Sequence, residues 1–285
     1  MFNKTSKFHF KISSSFLYNI CIYAIDCSQS AIENWNCGPC KQLPGVTSPT
    51  YMMNNSADGF ADVYGYVAQL PNNYIVIGFR GTISTDIRDW ILDFDFIPID
   101  PNFGECSGCM LHEGFLRGWL SLRSQTLAAL QKMNAMQSNG IYVTGHSLGA
   151  AMANIATFDL ASNGYPIANV LYNYGQPRTG NPAYGHAYET IVTNRSSTIQ
   201  KQKIGDNANI HSYRVVHYQD PVPQLPPQAF GFQHSPLEVW YNQDQSSYTL
   251  CSMNNGEDPT CSDSQIDLNI EDHLSYVNIR ISEIC

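Results

Sequence analysis

Short apolar runs punctuate the chain, most of them bounded by Gly, Pro or Asp. Tyr74-Ile75-Val76-Ile77-Gly78-Phe79, Ile141-Tyr142-Val143-Thr144, Val170-Leu171-Tyr172-Asn173-Tyr174, Ser212-Tyr213-Arg214-Val215-Val216-His217 and Leu237-Glu238-Val239-Trp240-Tyr241 are rich in β-branched and aromatic residues. That pattern predicts buried strands. Segments with helical spacing lie between several of them. Residues 113–137 carry Phe115, Leu116, Trp119, Leu120, Leu127, Leu130 and Met133 on a roughly helical period, and residues 148–162 are Ala-rich and periodic. Strands alternating with helices predict an α/β fold with a mostly parallel central sheet and helices on both faces. No internal repeat, low-complexity tract or linker interrupts the pattern, so residues 1–285 are read as one domain.

Composition narrows the possibilities. With 285 residues, 43% of them hydrophobic and 14% charged, the chain can bury a sizeable core and is not a disordered type. Its formal net charge of -9 argues against nucleic acid, whose binding rests on Lys and Arg neutralising phosphates. The same charge repels anionic membranes, so any contact with lipid has to be apolar. No stretch approaches the roughly 18 apolar residues of a membrane span. Lys4, Lys7 and Lys11 precede an apolar run at 16–25, the outline of a secretory leader. No small-x-small cleavage site follows, and the run is read as an amphipathic first helix, any leader being absent from this chain.

Cysteine usage points outward from the cytosol. There are nine, with close pairs at Cys37 and Cys40, Cys106 and Cys109, and Cys251 and Cys261. This is the pattern of a disulfide-stapled secreted or luminal protein. The odd number leaves one thiol, for which Cys21 is the candidate. Sequons at Asn3, Asn54 and Asn194 agree with that compartment. Cys37-Gly38-Pro39-Cys40 also has the form of a thioredoxin-type redox motif, and two C-x-x-C pairs would allow a four-cysteine zinc site. The stretch before Cys37, residues 28–36, is polar and not strand-like, which disfavours redox chemistry.

Candidate chemistry centres on Gly145-His146-Ser147-Leu148-Gly149, a G-x-S-x-G sequence between a predicted strand and a predicted helix. In such a turn the serine side chain is pushed out while the glycines avoid steric clash. The alternative is a glycine-punctuated turn whose Ser147 merely caps the helix. A serine hydroxyl needs a base, and the base an orienting acid, in the chain order Ser, Asp or Glu, His. Downstream histidines are His186, His211, His217, His234 and His273. Asp220 follows a predicted strand within Asp220-Pro221-Val222-Pro223, which also reads as an Asp-Pro turn. His273, in Glu271-Asp272-His273-Leu274-Ser275-Tyr276, also reads as part of a polar surface cluster. Order alone leaves His234 open as the base.

Taken together, these motifs resemble the fungal-type triacylglycerol lipases, the class 3 lipases. Phe79-Arg80-Gly81-Thr82 followed by Ile87-Arg88-Asp89-Trp90-Ile91 is similar to that family's oxyanion strand and lid. His112-Glu113-Gly114-Phe115, the serine elbow, Gly175-Gln176-Pro177-Arg178-Thr179-Gly180-Asn181, Asp220-Pro221-Val222-Pro223 and Asp272-His273-Leu274-Ser275-Tyr276 match in turn. The resemblance implies an α/β-hydrolase fold and a Ser147, Asp220, His273 triad. It also implies an oxyanion hole from the amide and hydroxyl of Thr82 and the amide of Leu148, with Asp93 steadying Thr82. It implies disulfides Cys37–Cys40, Cys251–Cys261 and Cys27–Cys285, leaves Cys106 and Cys109 without a counterpart, and calls for no metal or cofactor. Ala150 replaces a commoner Gly, and residues 83–86 form a connection about two residues longer than usual.

A lid helix is expected near 84–96. Ile87, Trp90, Ile91 and Phe94 fall at i, i+3, i+4 and i+7, one apolar stripe with Asp86, Arg88, Asp89 and Asp93 mostly off it. A fixed surface helix has the same pattern. Phe230, Phe232, Leu225 and Pro226 are candidates for acyl-chain contacts. The expected function is hydrolysis of acylglycerol esters at an oil–water interface. Relatives acting on phospholipid or feruloyl esters keep two further esterase readings open, and a catalytically inactive binding protein is the rival from another class. The oligomeric state is not legible.

Overall fold

The computed structural model describes residues 27–54, 63–82, 87–92, 95–103, 106–193, 211–235, 237–252 and 256–280. The N-terminal apolar run with Cys21, the sequons at Asn3 and Asn194, Asp93 and Phe94 of the expected lid, and Cys285 lie outside the described residues.

All of the predicted strands form. β1 (Thr47–Asn54), β2 (Val63–Gln69), β3 (Tyr74–Phe79) and β6 (Gly140–Gly145) lie in that order, and β7 (Val170–Tyr174), β8 (His211–His217), β9 (Glu238–Tyr241) and β10 (Tyr248–Leu250) continue it. The two halves meet where His146 bridges Tyr174 in parallel and the Thr144 hydroxyl donates to the Tyr172 carbonyl at 2.7 Å. Pairing is parallel at β3–β6, β7–β8 and β8–β9. It is antiparallel at β1–β2, β2–β3 and β9–β10. The parallel centre thus carries the continuous apolar runs, because both its faces are covered. In the chain between β3 and β6 come two short strands, β4 (Pro98–Ile99) and β5 (Leu111–His112), that pair with each other apart from the main sheet.

One face is covered by α3 (Glu113–Lys132) and α4 (Leu148–Ser162), with Phe79 edge-on to Trp119 at 5.8 Å between ring centroids. Phe115, Leu116, Trp119 and Leu130 point inward as their spacing predicts, whereas Leu120 is 45% exposed. α4 shows no stripe because every residue from Gly149 to Ala161 is buried. Alanine suits a helix pressed between sheet and neighbour: a Cβ on Gly118 of α3 would stand 3.1 Å from the Met152 sulfur. The other face packs Tyr66, Tyr172, Tyr174 and Tyr276 against α1 (Gln29–Glu33) and the segment around Cys37 and Cys40. No helix among the described residues is long and apolar enough to cross a membrane.

Disulfides join Cys37 to Cys40, Cys251 to Cys261 and Cys106 to Cys109, the last a close pair for which the resemblance offered no counterpart. Cys27 is disulfide-bonded as well. Its expected partner is among the undescribed residues. Cys37 and Cys40 are buried, at 6% and 0% exposure, which suits staples rather than exchangeable thiols.

Charge is also buried around Arg178. Arg178 donates to Glu257 through Nε (2.9 Å) and Nη2 (3.1 Å), and to Asp263 Oδ1 through Nη2 (2.9 Å). One guanidinium cannot neutralise two carboxylates. Burial would raise Glu257, but His234 and the doubly bonded Arg178 outweigh it and hold Glu257 down to about 2. Burial and the adjacent Glu257 push Asp263 up to about 7 against the pull of Arg178. Because the folded value of Asp263 exceeds its unfolded value of about 3.9, its contribution to stability is complete below that pH. It is lost as pH rises through about 7. Asp263→Asn mimics the protonated acid, so the Tm of the variant relative to wild type is expected to rise between pH 5 and pH 9. A flat difference in thermal melts would show that Asp263 is already ionised at the lower pH.

Candidate active site

The turn from β6 into α4 holds Ser147 at φ 57°, ψ -129°, in the left-handed region where a side chain is strained. The two glycines permit it. A Cβ on Gly145 would lie 2.2 Å from the backbone of Gly149, and one on Gly149 would lie 2.2 Å from the Phe79 carbonyl oxygen. Ser147 does not cap α4: its side chain makes no capping bond, and its buried Oγ hydrogen-bonds to no protein group. The capping alternative is thereby removed. The end of β3 closes on the same turn, since a Cβ on Gly81 would stand 2.7 Å from the His146 carbonyl oxygen and 3.1 Å from Ser147 Cβ. Thr82, half-buried, is the next residue. Leu148 opens α4, so its amide is among those without an intrahelical acceptor.

Asp220 and His273 meet beside this turn. Asp220 follows β8, and His273 ends α5 (Ile270–His273), which Asn269 caps by accepting from the Glu271 amide. His273 Nδ1 lies 2.9 and 2.8 Å from the two Asp220 oxygens, with both side chains fully buried. With a carboxylate as the acceptor, Nδ1 is the donor and Nε2 is left as the acceptor. Nε2 is buried and bonds to no protein group. The Val222 amide donates to Asp220 Oδ1 at 2.8 Å, and the Tyr276 hydroxyl makes a short bond to Oδ2. The serine is close by: its amide donates to the Tyr174 carbonyl at 3.0 Å. At the next residue, Gly175 (φ +55°), a Cβ would come within 2.9 Å of His273 Cε1 and 3.0 Å of Asp220 Oδ2.

His234 stands elsewhere. Its Nε2 donates to the Pro223 carbonyl at 2.9 Å, and burial holds its imidazole well below the ordinary range. His146 is neutral as well, because burial and the nearby His273 lower it strongly. Its Nε2 donates to the His273 carbonyl at 2.9 Å, and the two rings lie 4.4 Å apart. Tyr276, Gly175 and His146 were not singled out from the sequence, although each stands inside a quoted motif.

The expected lid is a six-residue helix, α2 (Ile87–Leu92). Ile87 is buried, and Trp90 packs on the core from a half-buried position. Ile91 is half-buried, while Arg88 and Asp89 face out. Arg88 reaches Glu271 of α5 at 3.9 Å. Beyond α2, the His112 ring donates through Nε2 to the Asp95 carbonyl, and its Nδ1 accepts from the Phe115 amide at 3.4 Å. Phe230 is 56% exposed and meets the Phe96 ring at 4.7 Å, whereas Phe232 is buried near His112.

A strained serine between strand and helix, with a buried His–Asp pair at the carboxyl ends of the parallel strands, is the arrangement of the α/β-hydrolases. Residues 76–230 match the family described as "Lipase (class 3)", and the chain belongs to that family. It is 33% identical over 222 residues to the secreted mono- and diacylglycerol lipase A of Penicillium cyclopium, covering 76% of this chain and 65% of the relative. It is 34% identical over 211 residues to a lipase of Rhizomucor miehei, covering 72% of this chain and 52% of the relative. The chain thus spans about half to two-thirds of the length of these curated relatives. Among solved structures, lipase II of Rhizopus niveus superimposes with a TM-score of 0.78 at 28% identity, over 98% of this chain and 97% of that one.

The close approach at Gly149 yields a test of the local fold. Gly149→Ala places a methyl group against the Phe79 carbonyl and must push α4 off β3. The expected cost is about 3 kcal/mol, or roughly 6–12 °C in Tm. A melting curve unchanged from wild type would mean that the turn has slack.

Proposed function

We propose that this protein is a serine carboxylic-ester hydrolase acting on acylglycerols, with Ser147 as nucleophile, His273 as base and Asp220 as the acid that orients it. The observation that carries the reading is the buried His273–Asp220 pair, whose outer nitrogen has no protein partner, next to a strained serine whose hydroxyl has none either. Removing the Ser147 proton through Nε2 forms an imidazolium, which the adjacent carboxylate stabilises. Attack on the ester carbonyl gives a tetrahedral oxyanion. The amides of Thr82 and Leu148, with the Thr82 hydroxyl, are the proposed donors, each typically worth about 10²–10³ in rate. The imidazolium then protonates the leaving alcohol, and water releases the fatty acid from the acyl-enzyme by the same steps.

The names of the relatives favour acylglycerols over other esters, and the paired cysteines favour a secreted protein. No step in this scheme needs a metal or cofactor. Ser147→Ala is expected to abolish hydrolysis of tributyrin while leaving the melting curve nearly intact. Asp220→Asn and His273→Ala are each expected to lower turnover by about 10⁴-fold or more. Near-normal turnover in His273→Ala, with loss in His234→Ala, would move the base to His234. Parallel rates on triolein, monoolein, a phospholipid and a short soluble ester decide the substrate class.

We further propose that α2 is a lid. Ile87, Trp90 and Ile91 turn inward and the polar face outward, which suits a cover that is stable in water. Opening exposes apolar area that water penalises at about 25 cal/mol per Å², and an oil surface removes that penalty. Activity is therefore expected to jump once an ester exceeds its solubility. Trp90→Asp is expected to blunt the jump and to spare hydrolysis of a fully soluble short ester. Smooth saturation of the wild type through the solubility limit would make α2 a fixed helix.

A further inference from the structure

The loop after Asp220 is short of donors. Pro221, Pro223, Pro226 and Pro227 have no N–H, so this turn presents more carbonyl acceptors than it can satisfy internally. Two buried side chains meet that demand. Arg178 Nη1 donates to the carbonyls of Gln224 (2.6 Å) and Pro226 (3.2 Å), and the Arg178 amide donates to Leu225 (2.7 Å). His234 Nε2 donates to Pro223 at 2.9 Å. Carbonyls 223 to 226 are therefore all held by Arg178 and His234. The far side of the same guanidinium is bolted to Glu257 and Asp263. Glu257 also accepts from the His234 amide at 2.8 Å, and it lies in the loop closed by Cys251–Cys261.

We propose that Arg178 is a positioning residue for Asp220, acting through the backbone of the loop that follows it. Asp220 is tied to the start of this loop by the bond from the Val222 amide to Oδ1, and the 3-10 turn Val222–Gln224 runs directly into the carbonyls that Arg178 holds. A shift at Gln224 is thus passed to the carboxylate that sets the His273 ring. Arg178 suits the place because its planar fork donates in two directions at once, to carbonyls ahead and a carboxylate behind. Lysine has the charge but not the span. Misplacement of about 1 Å in a group aligned for reaction costs on the order of 10²-fold in rate.

The proposal rests on the assignment of Ser147, His273 and Asp220, so the experiment separates the two. Active sites are counted by exhaustive labelling with a fluorophosphonate, and kcat and KM are measured on soluble p-nitrophenyl butyrate for wild type, Arg178→Lys and Glu257→Gln. In both variants, kcat per labelled site is expected to fall, by about tenfold or more in Arg178→Lys, while KM stays within about twofold. A purely structural part would lower the number of labelled sites and the Tm, and would leave kcat per site unchanged. Glu257→Gln keeps the volume of the cluster and provides the test if Arg178→Lys does not fold. A fall in kcat per site below threefold in every variant that folds overturns the positioning role. A wild type that takes up no label and shows no turnover overturns the triad assignment, and this proposal with it.

Discussion

Between the Phe79 carbonyl and Gly149 there is no room for a side-chain carbon, and the rest of the site is arranged around that contact. It brings the start of α4 down onto the end of β3, where the serine takes a left-handed conformation and Gly81 closes against its Cβ. The strain at Ser147 is tolerated because strands on either side over-determine the turn: β3 through Gly81, and β7 through the Tyr174 carbonyl that takes the serine amide. Local geometry that an isolated peptide would abandon is kept by packing that a whole sheet supplies.

Much of this was legible from residue order. The central strands could be read because burial on both faces leaves continuous apolar runs, and α3 because burial on one side leaves a helical period; α4, buried all round, was legible instead as an alanine-rich run after the serine turn. β1 left no such trace: it is an edge strand, exposed or half-buried at all but Met52, so polar and apolar residues mix along it. β2 is largely buried, but Gly65 and its tyrosines break the apolar run. Ser147 could be found from two glycines whose absence of a side chain has a local cause. Asp220 and His273 could be narrowed by order and assigned by resemblance, but not by local chemistry, because their defining contact joins residues 53 apart. Tyr276 and Arg178 were harder still. Their roles lie in hydrogen bonds to a carboxylate and to backbone carbonyls, and nothing in the spacing of a tyrosine or an arginine announces its acceptor.

The polar interior follows a consistent economy. Buried carboxylates are spread among donors of several kinds: Asp159 takes the Trp119 indole at 2.9 Å and the Arg123 guanidinium, and Glu257 takes Arg178 and a backbone amide. Each group is multiply satisfied, which is the condition under which buried charge persists. Asp220 is treated in the same way but with neutral donors, a tyrosine hydroxyl and an amide, beside the imidazole. Those donors fix its direction without adding a formal positive charge to compete with the one that His273 would acquire.

The segment carrying His273 and Tyr276 reaches back across the whole domain, its backbone carbonyl bonding to a histidine 127 residues earlier. Contacts of such long sequence separation are among the slowest to form, because the intervening chain must already be ordered. The turn that carries Ser147 can be built from the neighbouring strands and α4 alone, but the His273 imidazole arrives only with the last described segment. A chain still folding would hold a strained serine without the His273–Asp220 pair, so the activity proposed for this site would be a late property of the molecule, acquired only once the last described segment has docked.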